Sequence, residues 1–270
     1  MSALTLTLKD APRQRLDCSA LTPTRLAGRT PAEIAAIELP CGNRRLRVDA
    51  LFKLTGEDVS NLVFRNGCDK LDRIGEGMFD GSIEVDGDAG AYLGLGLRGG
   101  RIRVRGNCGA FAAAEMKRGL VHIQGNAGDF LGAPLPGDRQ GMRGGTVIVQ
   151  GNAGDRCGDR LRRGNILVEG NAGDYCASRM IAGTLSVLGT LGTYPGFAMR
   201  RGTLLLNAVP ASLPATFGDC GTHDLHFLPL LTQSWRSLES RFARLESRSR
   251  VRRLMGDLAC DGKGEVLVWV

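Results

Sequence analysis

The sequence is poor in aromatic residues and histidine, and it has no long apolar run. Aromatic residues make up 5% of the 270 residues, and the three histidines are His122, His223 and His226. No stretch approaches the roughly 18 apolar residues of a membrane-spanning helix. The first residues, MSALTLTLKDAPRQR, lack the apolar core of a signal peptide. These absences argue against a membrane protein, a secreted protein and a histidine-rich metalloenzyme, and they predict a cytoplasmic location.

The cysteines form no ligand pattern. The sequence contains eight of them, but no CxxC pair and no spacing typical of a zinc or iron–sulfur site. We therefore expect reduced thiols that fill small apolar spaces.

The basic residues are almost all arginine. Only five of the 35 basic residues are lysine, and the net charge is +7. Because arginine binds carboxylates and phosphates through two parallel hydrogen bonds, this bias points to anionic partners or to buried interfaces.

Glycine, in contrast, is abundant and periodic. Segments beginning at glycines 81, 100, 119, 145, 164 and 183 read GSIEVDGDAG, GRIRVRGNCG, GLVHIQGNAG, GTVIVQGNAG, GNILVEGNAG and GTLSVLGTLG. A seventh segment, GTLLLNAV, begins at Gly202. The period is 19 residues except for one interval of 26. A fixed period of this length indicates a repeat architecture.

Equivalent positions of the repeats carry equivalent residues. The third and fifth positions are always Ile, Val or Leu, which predicts a strand with one buried face. A turn position holds Asp88, Asn107, Asn126, Asn152 and Asn171, and we expect these side chains to bond to the repeats above and below. The second half of the repeat adds three columns: aromatic (Tyr92, Phe111, Phe130, Tyr175, Tyr194, broken by Arg156), small (Gly94, Ala113, Gly132, Gly158, Ala177, Gly196) and long apolar (Leu97, Met116, Met142, Leu161, Met180, Met199).

Such columns arise when successive coils stack in register about 4.8 Å apart. Nineteen residues are too few for a helix pair, and the leucine-rich pattern is missing. The sequence thus predicts an all-β protein, a right-handed parallel β-helix of about seven coils. We expect an N-terminal cap and irregular first coils in residues 1–74, regular repeats in 75–209, and a C-terminal extension in 210–270.

Both ends of such a stack need a cap, because open strand edges polymerise. The stretch TPAE from Thr30 is a capping-box pattern that predicts a short helix through Ile37. The final residues, GEVLVWV, predict a closing strand. Residues 236–253 contain seven arginines, and four apolar residues recur at helical spacing, which predicts a basic amphipathic helix: Trp235, Leu238, Phe242 and Leu245.

The outward strand position changes from charged to apolar along the stack. It reads Glu84, Arg103, His122, Ile148, Leu167, Ser186 and Leu205. An apolar outward face needs a cover, which could come from the chain's own C-terminal segment or from another subunit. The 26-residue repeat also contains an insertion near APLPGDRQ (133–140), which we expect to loop outward.

No catalytic constellation is recognisable. GLGLRG at 94–99 fits a dinucleotide motif, yet its glycines fall in the repeat columns and no helix pattern follows. The sequence has no G-x-S-x-G, Walker or HExxH motif, and a calcium-binding roll would need a nine-residue period. We therefore expect no catalytic residue and no metal site in this chain.

The repeat, with GMRGGTVIVQGNAGDRCGDRLRRGNILVEGNAGDYCASRMIAGTLSVLG, closely resembles the C subunit of formylmethanofuran dehydrogenase and the related C subunit of the bacterial formyltransferase/hydrolase complex. A more distant resemblance is to the C-terminal β-helix domain of the glutamate synthase large subunit. The match runs from LAGRTPAEIAAIELPCGNRRLRV to about Ala208 and is most specific through 141–192.

This resemblance implies a right-handed β-helix without an active site that scaffolds catalytic subunits. In the bacterial complex, a formyl group passes from tetrahydromethanopterin to a methanofuran-type carrier and is hydrolysed to formate. The implied partners are the A, B and D subunits, of which A is metallohydrolase-like and would hold zinc, and D is the formyltransferase. In the archaeal dehydrogenase, other subunits carry tungsten or molybdenum, a pterin and iron–sulfur clusters. The Arg-rich, Ala-rich composition favours the bacterial complex.

The carrier of this family has a glutamate-rich, polyanionic tail. Arginines on the insertion side (Arg139, Arg143) and at the coil corners (Arg162, Arg163) could steer that tail or contact a partner. Two other functions stay open: nucleic-acid binding by the basic C-terminal helix, and an enzyme resembling pectin lyases. The first would give strongly salt-dependent binding, and the second needs clustered charged residues on a face that here becomes apolar.

Overall fold

The computed structural model describes residues 2–270, which are rich in strands and poor in helices. The strands are β1 (Ala3–Leu8), β2 (Leu16–Asp17), β3 (Glu38–Cys41), β4 (Arg44–Arg47), β5 (Phe52–Thr55), β6 (Asp58–Gly67), β7 (Leu71–Asp72), β8 (Ser82–Gly87), β9 (Arg101–Val104), β10 (Leu120–Ile123), β11 (Arg143–Val149), β12 (Arg163–Val168), β13 (Thr184–Val187), β14 (Arg201–Leu206), β15 (Gly218–Asp224), β16 (Arg250–Gly256) and β17 (Lys263–Trp269). The helices are α1 (Pro23–Leu26), α2 (Pro31–Ala35), α3 (Val48–Leu51) and α4 (Phe227–Ser234), with a 3-10 turn at Arg241–Arg244. The β-rich class predicted from the repeat is confirmed.

The repeats lie side by side in one 13-stranded sheet. Strands β8 to β14 each pair in parallel with the next, and every third-position residue faces its equivalent: Ile83, Ile102, Val121, Val147, Ile166, Leu185 and Leu204. A second line of bridges joins Ala89, Cys108, Ala127, Ala153, Ala172 and Leu191. Each repeat therefore bonds to the next at two separate levels, and the columns of the sequence are columns of the structure.

The inward columns form one apolar core. The long apolar column and the third-position residues are buried throughout, at most 2% exposed. The small column leaves little room for side chains larger than alanine. A Cβ on Gly158 would lie 2.5 Å from Leu185 Cδ1, and the φ of +71° at Gly158 is left-handed. Packing and backbone conformation thus favour glycine at the same place.

The turn position forms a ladder of hydrogen bonds, as the sequence predicts. The backbone N–H of Asn107 donates to Asp88 Oδ1 over 2.7 Å, and those of Asn126, Asn152 and Asn171 each donate over 2.8 Å to the preceding residue of the ladder. A second ladder runs through the aspartates of GNAGD, where Asp155 N–H donates to Asp129 and Asp174 N–H to Asp155. These carboxylates therefore tie the repeats together.

The aromatic column is a stack of rings. Ring centroids lie 5.4 Å apart for Tyr92 and Phe111, and 4.7 Å apart for Phe111 and Phe130. Arg156 interrupts the column in the sequence but continues it in space, since its guanidinium lies 4.7 Å from the centre of the Tyr175 ring.

The N-terminal region extends the sheet. Helix α2 has the predicted capping box, with Thr30 Oγ1 accepting from Glu33 N–H and the Glu33 carboxylate accepting from Thr30 N–H, but it ends at Ala35 rather than at Ile37. We expected irregular coils before residue 75, yet β6 pairs with β8 in parallel and aligns Leu62 with Ile83. Strand β1 then pairs in parallel with β6.

The prediction of a basic amphipathic helix at 236–253 is wrong. Helix α4 ends at Ser234, and the following residues form turns, the 3-10 turn and strand β16. The apolar side chains are still placed inward, and Trp235 packs edge-on against Phe242 at 5.6 Å. Apolar spacing records only that a segment has one buried side, and tertiary contacts decide its backbone. The closing strand is confirmed as β17, which pairs with β14 in parallel and with β16 antiparallel.

The apolar outward face is covered by the chain itself. We call residues 227–256 the C-terminal strap. A second apolar cluster joins Ile148, Leu167, Leu205 and Leu267 of the sheet to Leu228, Trp235, Phe242 and Val251 of the strap. Of the two covers left open by the sequence, the chain's own segment is the one observed. Within residues 2–270, no helix has the length and apolar character needed to cross a membrane.

Candidate interaction surfaces

The three histidines form no cluster with one another. His122 is buried on β10, whereas His223 lies in exposed β15 and His226 precedes α4. In the part of the chain from Ser2 onward, no group of three or more His, Cys, Asp or Glu side chains is placed to hold a metal ion.

The buried cysteines are poor nucleophiles. Cys157 and Cys176 stack in the core, and a hydrogen bond between them, together with burial, raises the pKa of Cys176 well above its usual value. Burial likewise raises the pKa of Cys108 to about 12. The Cys108 and Cys176 thiols therefore remain protonated at neutral pH and serve as small apolar side chains.

Arginines form an exposed strip along one corner of the repeats. Arg143 and Arg163 are register partners on β11 and β12. Arg162, Arg163, Arg200 and Arg201 line one surface cavity of about 480 Å³. A neighbouring cavity of about 460 Å³ is lined by Arg139, Arg160, Arg179 and Arg200. Arg200 therefore joins the insertion side to the coil corners.

Sequence reasoning named four of these arginines and missed four others: Arg160, Arg179, Arg200 and Arg201. The repeat carries a signal for one of the missed residues, Arg200, because Arg143, Arg162 and Arg200 occupy one column with steps of 19 residues, interrupted by Ile181. Each of these arginines bonds through its backbone to the preceding repeat: Arg162 N–H donates to Met142 O, and Arg200 N–H donates to Met180 O. Aligning the residues that follow the long apolar column in each repeat would have revealed this basic column.

The strip contains two kinds of arginine. Arg179 is bound to buried Asp159 through two hydrogen bonds of 2.9 and 2.7 Å, so its charge is locally compensated. Arg162, Arg163 and Arg200 are exposed and form no salt bridge within residues 2–270. A run of free guanidinium groups attracts carboxylates and phosphates.

The insertion borders this strip. Its residues 136–139 are exposed, and it is anchored by Leu135 N–H, which donates to Glu115 Oε1 over 3.2 Å. Burial and a hydrogen bond with Asp138 raise the pKa of Glu115. Arg160 donates to the carbonyl of Asp138 over 2.7 Å. The predicted outward loop is thus observed, and it stands beside the arginines.

These repeats define a class of protein built by stacking one glycine-rich unit. The model of the GXGXG motif family matches residues 73–212, a little over half of the chain.

A solved structure resembles almost the whole chain. It is a chain of the crystal structure of the formyltransferase/hydrolase complex (FhcABCD) from Methylorubrum extorquens in complex with methylofuran. The TM-score is 0.91 and the identity 41%, and the comparison covers 98% of this chain and 99% of that one.

Two curated relatives match shorter segments. The C subunit of tungsten-containing formylmethanofuran dehydrogenase 2 from Methanococcus maripaludis is 36% identical over 95 residues, 34% of this chain and 35% of the relative. The C subunit of the formyltransferase/hydrolase complex Fhc from Methylorubrum extorquens is 41% identical over 89 residues, 33% of this chain and 34% of the relative. The matched segments thus span about a third of the curated relatives. With the full-length structural match, the chain belongs to the family formed by the C subunits of formylmethanofuran dehydrogenases and formyltransferase/hydrolase complexes.

Proposed function

We propose that this chain is the non-catalytic scaffold subunit of a multi-subunit formyl-transfer and hydrolysis complex of one-carbon metabolism. The observation that carries the proposal is the 41% identity and TM-score of 0.91, over 98% of the chain, with a chain of the FhcABCD complex. The architecture supports a scaffold role, because a regular stack offers long rigid faces to other subunits.

We further propose that the stacked repeats form a right-handed parallel β-helix of about seven coils. The parallel in-register pairing of β8 to β14 and the second line of bridges support this fold. Residues 1–74 would cap one end, 75–209 form the regular coils, and 210–270 form the extension that covers one face. Because strap and sheet share an apolar cluster, partner subunits would bind elsewhere on the stack.

The partners and cofactors belong to the same proposal. The partners are the A, B and D subunits of such a complex, the first metallohydrolase-like with zinc and the last a formyltransferase. Tetrahydromethanopterin and a methanofuran-type carrier are the cofactors of the complex. The related FhcABCD complex has been crystallised with methylofuran. A cytoplasmic location would suit the exposed free thiols Cys220 and Cys260, since a reducing compartment keeps such thiols reduced.

The test is to tag this chain in its native host, purify it gently and measure the intact mass and metal content. We expect a complex with three other chains that contains zinc and neither tungsten nor molybdenum. A lone chain of 28.8 kDa would contradict the scaffold proposal.

A second candidate is the C subunit of a formylmethanofuran dehydrogenase. The 36% identity over 95 residues with the Methanococcus maripaludis protein favours it. Tungsten, molybdenum or iron–sulfur in the purified complex would select this candidate over the hydrolase. Nucleic-acid binding loses its basis, because the basic helix on which it rested is not formed.

We propose that the arginine strip steers the anionic tail of the carrier or contacts an acidic partner surface. Arg139, Arg143, Arg162 and Arg163 carry this hypothesis from the sequence. Arg200 lines one cavity with Arg139 and another with Arg162 and Arg163, and Arg143 is the register partner of Arg163. The double variant Arg162→Ala/Arg200→Ala should weaken the apparent affinity of the assembled complex for the carrier and flatten its salt dependence. Arg44→Ala/Arg45→Ala removes the same charge from exposed strand β4 and should leave both unchanged. Equal effects of the two double variants would contradict the hypothesis.

A further inference from the structure

The line of basic side chains continues beyond the arginine strip along the whole stack. The two positions that directly follow the long apolar column also hold Arg98, Lys117 and Arg118, and Lys263 on β17 is the register partner of Arg201. Lys117 N–H donates to Leu97 O of the preceding repeat, as the strip arginines do with theirs. We define the basic ridge as these four residues other than Arg201 together with five from the strip: Arg143, Arg162, Arg163, Arg200 and Arg201.

The basic ridge is long compared with a small ligand. Its members precede or begin neighbouring strands of one sheet, from β9 through β14 to β17. Because neighbouring strands lie about 4.8 Å apart, the distance from the first strand to the last is about 29 Å. An extended polypeptide of about nine residues has the same length, at roughly 3.3 Å per residue.

The charge of the basic ridge is not compensated within the chain. All of its side chains are exposed, and none forms a salt bridge within residues 2–270. The ridge carries more positive charge than the net +7 of the whole chain, so the remainder of the chain is negative on balance. Four arginines but one carboxylate, Asp261, line the cavity of about 480 Å³. Charge of one sign concentrated on one corner attracts an acidic partner.

The basic ridge is interrupted once, and the interruption is apolar. Ile181 and Ala182 occupy the positions that hold Arg162 and Arg163 in the preceding repeat and Arg200 and Arg201 in the following one. Ile181 is partly exposed and lines both cavities of the strip. An apolar side chain of a partner would contact Ile181 and Ala182 while acidic neighbours bond to the arginines on either side.

These features favour a polypeptide over a nucleic acid. Single-stranded nucleic acids are bound through aromatic side chains on which the bases stack, and the two columns of the ridge contain no aromatic residue. The Phe79 ring beside the first rung is already covered by the Arg98 guanidinium, 4.9 Å from the ring centre. Arginine, the main residue of the ridge, binds a carboxylate through two parallel hydrogen bonds.

We propose that the basic ridge binds an extended acidic segment of a partner subunit, in which carboxylates flank an apolar side chain that contacts Ile181 and Ala182. The proposal rests on the proposed scaffold function, because a partner subunit supplies the segment. It extends the site from the arginine strip to the whole length of the stack.

The test uses the full-length chain and the fluorescence anisotropy of a labelled peptide of about nine residues, with glutamates on both sides of a central leucine. We expect saturable binding at low salt that weakens as salt is added, because exposed ion pairs are screened. The same peptide with glutamine in place of glutamate should not bind. Serine in place of the leucine should weaken binding about fivefold, because the apolar contact is lost.

Three variants locate the contacts. Lys117→Gln/Arg118→Gln removes two charges far from Arg201 and should weaken binding about fivefold, the effect of two exposed ion pairs. Ile181→Ser should make the leucine and serine peptides bind equally. Arg44→Gln/Arg45→Gln removes the same charge from exposed strand β4 and should match the wild type.

Four results would overturn the proposal: no saturable binding, equal weakening by the two charge variants, no contribution from the leucine, or tighter binding of a single-stranded oligonucleotide of equal charge. These measurements need no partner subunit. Their failure therefore leaves the scaffold proposal to its own test, the intact mass of the native complex.

Discussion

The stacked repeats and the C-terminal strap are held by contacts of different kinds. In the repeats, a residue meets its chemical equivalent 19 positions away, as Asn171 N–H meets Asn152 Oδ1. In the strap, unlike residues meet over long separations, as the Ser240 hydroxyl meets the Glu169 carboxylate 71 positions away. Periodic contacts are therefore visible in the sequence as columns, whereas the contacts of the strap leave no periodic trace.

The largest effect should come from emptying the cluster between strap and sheet. Trp235 is 1% exposed and packs on Phe242. Trp235→Ala should lower the free energy of opening the strap by about 3–5 kcal/mol, because truncating a buried tryptophan leaves a large cavity. Hydrogen exchange of β16 would report this loss. Leu230→Ala, at a side chain 68% exposed, is the matched control and should change protection little.

The hydrogen-exchange protection of strands β8 to β14, measured in the same experiment, shows whether the stacked repeats unfold separately from the strap. If Trp235→Ala lowers protection of the inward stack as much as that of the strap, the two regions unfold as one unit and the comparison fails.

A slightly smaller effect should come from forcing two repeats apart. A Cβ on Gly170 would lie 2.6 Å from the backbone oxygen of Gly151 in the preceding repeat. Gly170→Val should lower the free energy of unfolding by about 2–3 kcal/mol, because the backbone cannot yield without moving a neighbouring repeat. Urea denaturation measures this change. At Gly218, where an added Cβ meets nothing within 4 Å, the same substitution should be nearly neutral.

Removing one rung of the ladder should have a moderate effect. Asn152→Ala deletes the oxygen that accepts from Asn171 N–H and should cost about 1 kcal/mol of stability. Asn165→Ala, on strand β12 and outside the ladder, serves as control. Equal denaturation midpoints for the two variants would show that the ladder contributes nothing to stability.

The smallest effect is a pH dependence confined to the strap. The pKa of His122 is lowered, by burial and by Arg103 and Arg101 against the opposing Glu239 and Glu169. A histidine with a lowered native pKa takes up its proton more readily when released, so stability rises with pH through that window and is lost as pH falls below the ordinary value of about 6.5. Between pH 7 and pH 5, His122→Leu should therefore lose less thermal stability than the wild type. A parallel decline of the two proteins would contradict this coupling.

The sequence indicates most arginines of the exposed strip, but it does not indicate which of them are free of a salt bridge. Arg139, Arg143, Arg162 and Arg163 were named from the arginine excess and from their place at the insertion and the corners of the repeat, whereas Arg179 differs from them because buried Asp159 binds its guanidinium. The sequence places both residues in the repeat without saying that one neutralises the other. Which arginines remain free is a property of side-chain packing.

The sequence by itself determined the periodic part of this protein: the strands, their register, the ring stack and the turn ladder. These follow from nearest-neighbour contacts between identical positions, so one repeat specifies the next. Only the tertiary structure decided that residues 236–253 form turns, a 3-10 turn and the start of strand β16 rather than one helix, and that the strap covers the apolar face beside His122. Its backbone is set by the surface on which it lies, and apolar spacing alone does not distinguish a helix from an extended segment that buries the same side chains.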